Sequence, residues 1–246
     1  MNQQPQIQTC LSPIFVDQYD WSNKVVVVID VFRATSTICS AIGHGAKAVI
    51  PVGSVEKCQK IGKSLGAITA GERGGKVIEG LQMGNSPLEY TSEVIQGKTL
   101  VLTTTNGTRL MQLVKDAEEI VIGSFLNLEA IVHYLKNKNK DVILACSGWQ
   151  DQFNLEDTLF AGAVVQALKS DFQCIDDSSF MAESLYQQAI AYSSLQEYLK
   201  TATHYQRLVS LGVEDDLEYC CQYNLHPIVP VLKDGLITPA KVTSIQ

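Results

Sequence analysis

Several things are scarce in this sequence, and each scarcity excludes a class of protein. No apolar run approaches the ~18 residues that a membrane-spanning helix needs. The opening stretch MNQQPQIQTCLSPIF has no basic segment, so a secretory signal is not expected. Seven cysteines are an odd number, none stand as CxxC, and Cys220 adjoins Cys221. That pattern fits neither a disulfide framework nor a zinc site, so the thiols are expected to be reduced and the protein cytoplasmic. Bases are in deficit, 19 Lys and Arg against 26 Asp and Glu, for a net charge of −7. A nucleic-acid or anionic-membrane partner is therefore not expected, and an anionic ligand must be met by a few local bases, backbone N–H groups or a metal. There is no GxxxxGK[ST] phosphate loop and no GxGxxG dinucleotide fingerprint. The four histidines are scattered without metal spacing, so any metal would be held by carboxylates, which favours Mg²⁺. Cys146 has no arginine in the following CSGWQDQFN, so it reads as a small buried residue rather than a phosphate-cradling nucleophile.

What remains is a composition of 46% hydrophobic and 18% charged residues over 246 positions, enough for one sizeable core. Short β-rich runs alternate with helical patterns. KVVVVID, AKAVIPVG, AITAGER, KTLVLTT, IVIGS and DVILACSG read as strands. ATSTICSAIGHG, SVEKCQKIGKSLG, NSPLEYTSEVIQG, TRLMQLVKDAEE, NLEAIVHYLKNKNK and NLEDTLFAGAVVQALKS read as helices. In the second of these Ser54 is the expected N-cap, with Gly66 just past the end. Such alternation predicts an α/β fold, three-layer αβα, with a mainly parallel or mixed sheet and helices on both faces. The chain reads as one domain, with βα units over about 20–172 and a more helical portion over about 173–246. The closing HPIVPVLKDGLITPAKV is predicted as edge strand and loop, because proline cannot donate to a central ladder.

Ligands of open α/β sheets bind beyond the carboxyl ends of the strands. Four strand ends are unusually polar: IDVFRATST (29–37), AGERGG (70–75), TTTNGT (103–108) and CSGWQDQFNLED (146–157). Together they are expected to line one crevice. Asp30, ending a fully apolar strand, is costly unless something pairs with it. Either Arg33 forms an ion pair with it or the acid has a function. In NSPLE a capping box of Ser86 and Glu89, with Pro87 at the first helical position, competes with a binding role. In NLED, Asn154 is the expected N-cap, with Glu156 and Asp157 favourable in the first turn. TTTNGT offers hydroxyls, an amide and backbone N–H groups to an anion.

VVVIDVFRATSTI, GERGG…GNSPLE, TTTNGT and CSGW…F…ED…AG resemble, in order and spacing, the 2-phosphosulfolactate phosphatase family, and the tail DDLEYCCQYNLHPIVPVLKDGLI resembles its ending. The resemblance covers residues 20–240. It implies a Mg²⁺-dependent phosphatase that hydrolyses 2-phospho-3-sulfolactate to 3-sulfolactate and phosphate, on the route from phosphoenolpyruvate and sulfite to coenzyme M. By that resemblance Asp30, Arg33 and Glu72 are the catalytic group. Thr35, Ser36, Arg73, Asn85, Thr104, Thr105, Asn106, Gly107, Thr108, Ser147 and Gly148 bind substrate. Mg²⁺ sits on Asp30 with Glu156 or Asp157, and Glu72 is a further ligand or a proton-transfer group. Asp30 is either the nucleophile or a metal ligand beside an attacking water. DVFRAT lacks the second aspartate of the DxDxT pattern, which favours water. A phosphatase of another small phosphorylated hydroxy acid and a non-catalytic anion-binding protein are the alternatives. The expected partners are a small anionic substrate and a second copy of the chain, as a homodimer.

Overall fold

The computed structural model describes residues 4–240. In chain order the elements begin with β1 (Gln6–Cys10), β2 (Val25–Ile29), α1 (Ala34–Gly43), β3 (Ala48–Pro51), α2 (Val55–Leu65), β4 (Ile68–Arg73) and β5 (Lys76–Val77). There follow α3 (Ser92–Ile95), β6 (Thr99–Thr103), α4 (Gly107–Leu113), β7 (Glu119–Gly123), α5 (Leu128–Lys138), β8 (Val142–Cys146) and α6 (Leu155–Leu168). The chain closes with β9 (Gln173–Cys174), α7 (Asp177–Ala189), α8 (Leu195–Leu199), α9 (Thr203–Val209), α10 (Glu214–Cys220), β10 (Pro230–Lys233) and β11 (Leu236–Pro239). The fold is the expected α/β type. An eleven-stranded sheet runs β5-β4-β6-β3-β11-β10-β7-β2-β8-β1-β9. Its ladders are parallel except around β10, β11 and β5.

The run VVVVI forms β2 because both of its faces are covered. Val25, Val27 and Ile29 pack with α5, α6 and α7, while Val26 and Val28 pack with α1 and α4. β2 pairs in parallel with β7 on one side and β8 on the other. All five residues have no exposed surface, each worth about 1.5–3 kcal/mol of burial. α2 is bounded as its sequence predicts. Ser54 accepts from the Lys57 N–H, and Gly66 ends the helix at φ 61°. The left-handed conformation suits glycine there.

Three expectations need correction. The closing segment is not an edge: β10 and β11 form a hairpin inserted between β7 and β3, in the middle of the sheet. Pro230 opens β10 and Pro239 ends β11, so neither proline occupies a ladder position in the strand interior. Val231 and Leu232 pair with Val121 and Ile120, and Ile237 pairs with Val49. The turn is Asp234-Gly235, both at positive φ (51° and 78°), the conformation that two-residue hairpins favour. Lys241 and Val242, the last two residues of this predicted closing segment, lie outside the described residues. The second correction is β1, which pairs in parallel with β8 and has no counterpart among the predicted strands. In the third, NSPLEYTSEVIQG is not one helix but a 3-10 turn at Pro87–Glu89 followed by the short α3.

The sheet also curls. Four strands separate β6 from β2, which in a flat sheet would put them roughly 24 Å apart at ~4.8 Å per strand. Yet Gly107, at the start of α4, lies so close to the end of β2 that a Cβ there would stand 2.9 Å from Asp30 Oδ2. Curling brings the turns after β4 and β6 over those after β2 and β8.

Candidate active site

The four polar turns meet, as the sequence predicts. A cavity of about 270 Å³ is lined by Asp30, Phe32 and Arg33 after β2, by Glu72, Gly74 and Gly75 at β4, by Thr105 and Asn106 after β6, and by Trp149 and Gln150 after β8. Asn85 joins them, and α9 supplies a further wall through His204, Arg207 and Leu208.

Asp30 leaves a fully buried strand and is itself buried. Its Oδ1 accepts from the Ala34 N–H at 3.3 Å. Among the described residues its Oδ2 has no hydrogen-bond donor. Burial pushes its carboxyl up to about 6; the Ala34 N–H opposes this, while Glu72 and Glu156 add to it. Arg33 is not its ion-pair partner. The guanidinium is bound through Nη1 by Asp216 of α10 and donates through Nη2 to the Gly75 carbonyl at 3.1 Å. Asp216 also accepts from Ser86 Oγ. The Ser86 hydroxyl therefore ties α10 to the cavity rim, and the expected Ser86–Glu89 capping box does not form: Glu89 instead accepts from the Gly84 N–H at 2.7 Å.

Glu72 acts as a clamp between turns. One carboxylate oxygen accepts from the Gly75 N–H at 2.8 Å and the other from the Thr105 N–H at 2.7 Å. Arg73 is directed away from the cavity lining, donating to the Glu72 carbonyl and to Thr103 Oγ1. Several of the predicted hydroxyl groups are occupied by their own turns. Thr35 Oγ1 accepts from the Asp30 N–H, and Ser36 Oγ donates to the Val31 carbonyl. Thr104 and Thr108 bond reciprocally across the start of α4. Gly107 matters for its lack of side chain, which lets α4 approach Asp30. Thr105, Asn106 and Asn85 line the cavity, and Asn85 Oδ1 is buried without a partner among the described residues.

The acids of NLED divide their roles. Asn154 caps α6 by accepting from the Asp157 N–H, as predicted. Asp157 is fully buried and spends its carboxylate on the Val31 N–H (2.8 Å), Ser147 Oγ (3.1 Å) and the Gly148 N–H (3.2 Å). It holds the turns after β2 and β8 together, which places Ser147 and Gly148 behind the cavity wall. Burial, with Glu156 and Asp30 nearby, raises its carboxyl well above the usual range. Glu156 Oε1 accepts from His204 Nδ1 at 2.5 Å. Its Oε2 is buried and unpartnered among the described residues. His204 stacks on Trp149 at 5.6 Å and 16°, and the same indole carries the Arg207 guanidinium at 4.7 Å. Arg207 also donates to the Gly74 carbonyl at 3.0 Å.

Asp30, Glu156 and Asp157 do not assemble as a metal triad. Among the described residues no three His, Cys, Asp or Glu side chains form a group able to hold an ion. Asp157 is saturated by donors and Glu156 is joined to His204. A hard divalent ion still suits Asp30, whose Oδ2 is free, because Mg²⁺ takes one or two protein carboxylates and completes its shell with water and phosphate oxygens. Cys146 has no exposed surface, and burial beside Asp157 raises its thiol well above the ordinary value, so it offers no thiolate. All seven cysteines are free, and no helix among the described residues is long and apolar enough to cross a membrane.

His204, Arg207, Trp149 and Asp216 were not anticipated as site residues. A signal existed in THYQRL, where His204 and Arg207 stand three apart and so share a helix face. Its polar surroundings made it resemble a solvated surface.

In sequence, the chain is similar to a known family along most of its length. The sequence profile of the 2-phosphosulpholactate phosphatase family matches residues 10–235. A protein of Caldanaerobacter subterraneus subsp. tengcongensis named probable 2-phosphosulfolactate phosphatase is 41% identical over 227 residues, covering 90% of this chain and 93% of its own. Proteins of the same name from Thermotoga petrophila and Clostridium acetobutylicum are 45% and 38% identical. Each covers 87% of this chain, with 91% and 92% of their own lengths aligned. The matched span takes in all four turns of the cavity and the α9 wall, and the chain belongs to the 2-phosphosulpholactate phosphatase family.

Proposed function

We propose that this chain is a Mg²⁺-dependent phosphatase that hydrolyses 2-phospho-3-sulfolactate to 3-sulfolactate and inorganic phosphate. The observation that carries the reading is Asp30: a buried carboxylate with a free oxygen, at the carboxyl end of a central strand, in a cavity that also holds arginines. In an acidic protein these cations are what can draw a substrate with several anionic groups. Arg33 is preset by Asp216 and Gly75, and Arg207 by Trp149 and Gly74, so both are oriented before substrate arrives. Preset groups lose little freedom on binding.

Mg²⁺, held by Asp30 together with water and phosphoryl oxygens, would offset the charge of a loose phosphoryl-transfer transition state. The protein's own residues do the rest. Asn85, Thr105 and Asn106 present polar groups to the phosphoryl and acid ends of the substrate. Glu72 keeps the β4 and β6 turns at a fixed separation. Water attacks phosphorus, and Asp30 takes part as the carboxylate that would hold the ion, not as the nucleophile. The test is phosphate release from 2-phospho-3-sulfolactate, phospholactate and phosphoglycolate, with Mg²⁺ and again with excess EDTA. Metal-dependent turnover that prefers the sulfonate supports the reading. Turnover of the other esters alone moves the substrate, and no turnover by folded protein refutes the activity.

A further inference from the structure

We propose that His204 is the general acid of this site, donating a proton from Nε2 to the oxygen that leaves phosphorus, and that Glu156 is its positioning residue. The inference rests on the phosphatase reading and assigns its proton donor.

The geometry fixes the imidazole from two directions. Glu156, with no exposed surface at the start of α6, accepts from Nδ1 at 2.5 Å. That bond commits the Nδ1 proton and defines which nitrogen remains for chemistry. Trp149 stacks on the ring at an interplanar angle of 16° and sets its plane. The side chain lines the same cavity as Asp30. Among the described residues Nε2 has no hydrogen-bond partner. A buried, oriented histidine with one nitrogen tied to a carboxylate and the other open to a cavity is the arrangement that proton transfer requires.

The reaction supplies the need. The leaving group of a 2-phospho-hydroxy acid is an alkoxide, which departs poorly unless it is protonated. Of the other titratable groups at the cavity, Asp30 is assigned to the ion and the rest do not serve. Glu72 has both oxygens committed to backbone N–H groups. The guanidinium groups of Arg33 and Arg207 do not release protons. Cys146 lies outside the lining. In the step, the water oxygen forms a bond to phosphorus and loses one proton to solvent. The bond from phosphorus to the carbon-bound oxygen breaks, its electron pair stays on that oxygen, and that oxygen takes the Nε2 proton of His204. The products are the free hydroxy acid and inorganic phosphate, and solvent returns a proton to the imidazole.

The experiment compares leaving groups. Acetyl phosphate releases a carboxylate, which needs no proton, whereas 2-phospho-3-sulfolactate and phospholactate release alkoxides. For His204→Gln, the loss of kcat on the alkyl esters should exceed the loss on acetyl phosphate by roughly 10²–10⁴-fold, the usual contribution of a positioned acid. Glu156→Gln should shift the same ratio in the same direction by less. His204→Ala, checked by thermal melting at equal folded concentration, should regain alkyl-ester turnover with added imidazole but not with 1,3-dimethylimidazolium, which carries the charge without the proton. Equal losses on the alkyl esters and on acetyl phosphate overturn the assignment. So does equal rescue by the two cations, or no rescue of a folded variant. If the wild-type protein refuses acetyl phosphate, the rescue pair decides alone. A wild-type protein that releases phosphate from none of these compounds fails the phosphatase reading instead, a separate result.

Discussion

Replacing Asp30 by Asn should make the metal-free protein more stable while removing its activity. Burial pushes the Asp30 carboxyl from an ordinary 3.8 up to about 6. The native state therefore binds this proton more tightly than the unfolded chain does. The associated stability is present in full below the unfolded value and is lost as pH rises through about 6. The displacement is about two pH units, which at 1.36 kcal/mol each is about 3 kcal/mol of penalty carried by the ionised form at neutral pH. Asn has the same shape and can still accept from the Ala34 N–H, but it never ionises. In EDTA at pH 7.5, Asp30→Asn should melt roughly 6–12 °C higher than wild type, at ~2–4 °C per kcal/mol for a chain of this size. The gap should close between about pH 6 and pH 4. Equilibrium unfolding in urea at a series of pH values measures it. A variant less stable than wild type at pH 7.5, or a difference that does not change with pH, would refute the reasoning.

Other substitutions probe the supports of the site. Asp216→Ala leaves the Arg33 guanidinium buried without its carboxylate and should cost about 3–5 kcal/mol in urea unfolding, with a raised KM for any substrate that Arg33 meets. Gly107→Ala puts a Cβ 2.8 Å from the Ala34 Cβ and 2.9 Å from Asp30 Oδ2. It should cost about 1–3 kcal/mol in thermal unfolding and lower kcat by displacing Asp30. Cys146→Ala should turn over like wild type in a steady-state phosphate assay, because the buried thiol takes no part. Loss of turnover by a folded Cys146→Ala would revive a thiol nucleophile.

Much of the cavity was legible because it is built from local signals. An apolar run ending in Asp30, glycines around Glu72, and TTTNGT before a helix are each readable within a few residues, and the rule for strand carboxyl ends brings them together. The uses of individual side chains were less legible. Thr35, Ser36, Thr104 and Thr108 offer hydroxyls in the sequence, yet their nearest acceptors and donors are in their own turns. Asp157 resembles a ligand until its three donors, two of them backbone N–H groups, are seen. The prolines point to an edge for the closing segment, yet Pro230 and Pro239 stand at the ends of β10 and β11, where they cost the ladder nothing in its interior. The Asp234-Gly235 turn was a local cue to a hairpin. No local pattern reveals that the hairpin divides the sheet. His204 and Arg207 reach the cavity from α9, far along the chain, and long-range packing of that kind leaves no short motif.

The most direct measurement is steady-state phosphate release from 2-phospho-3-sulfolactate by the wild-type protein and by Asp30→Asn, side by side in Mg²⁺. Both must first be shown folded by their melting curves. The account predicts turnover by the wild type and a rate on the order of a hundredth or less for the more stable variant. A folded Asp30→Asn within a few-fold of wild type would contradict it and take Asp30 out of the chemistry.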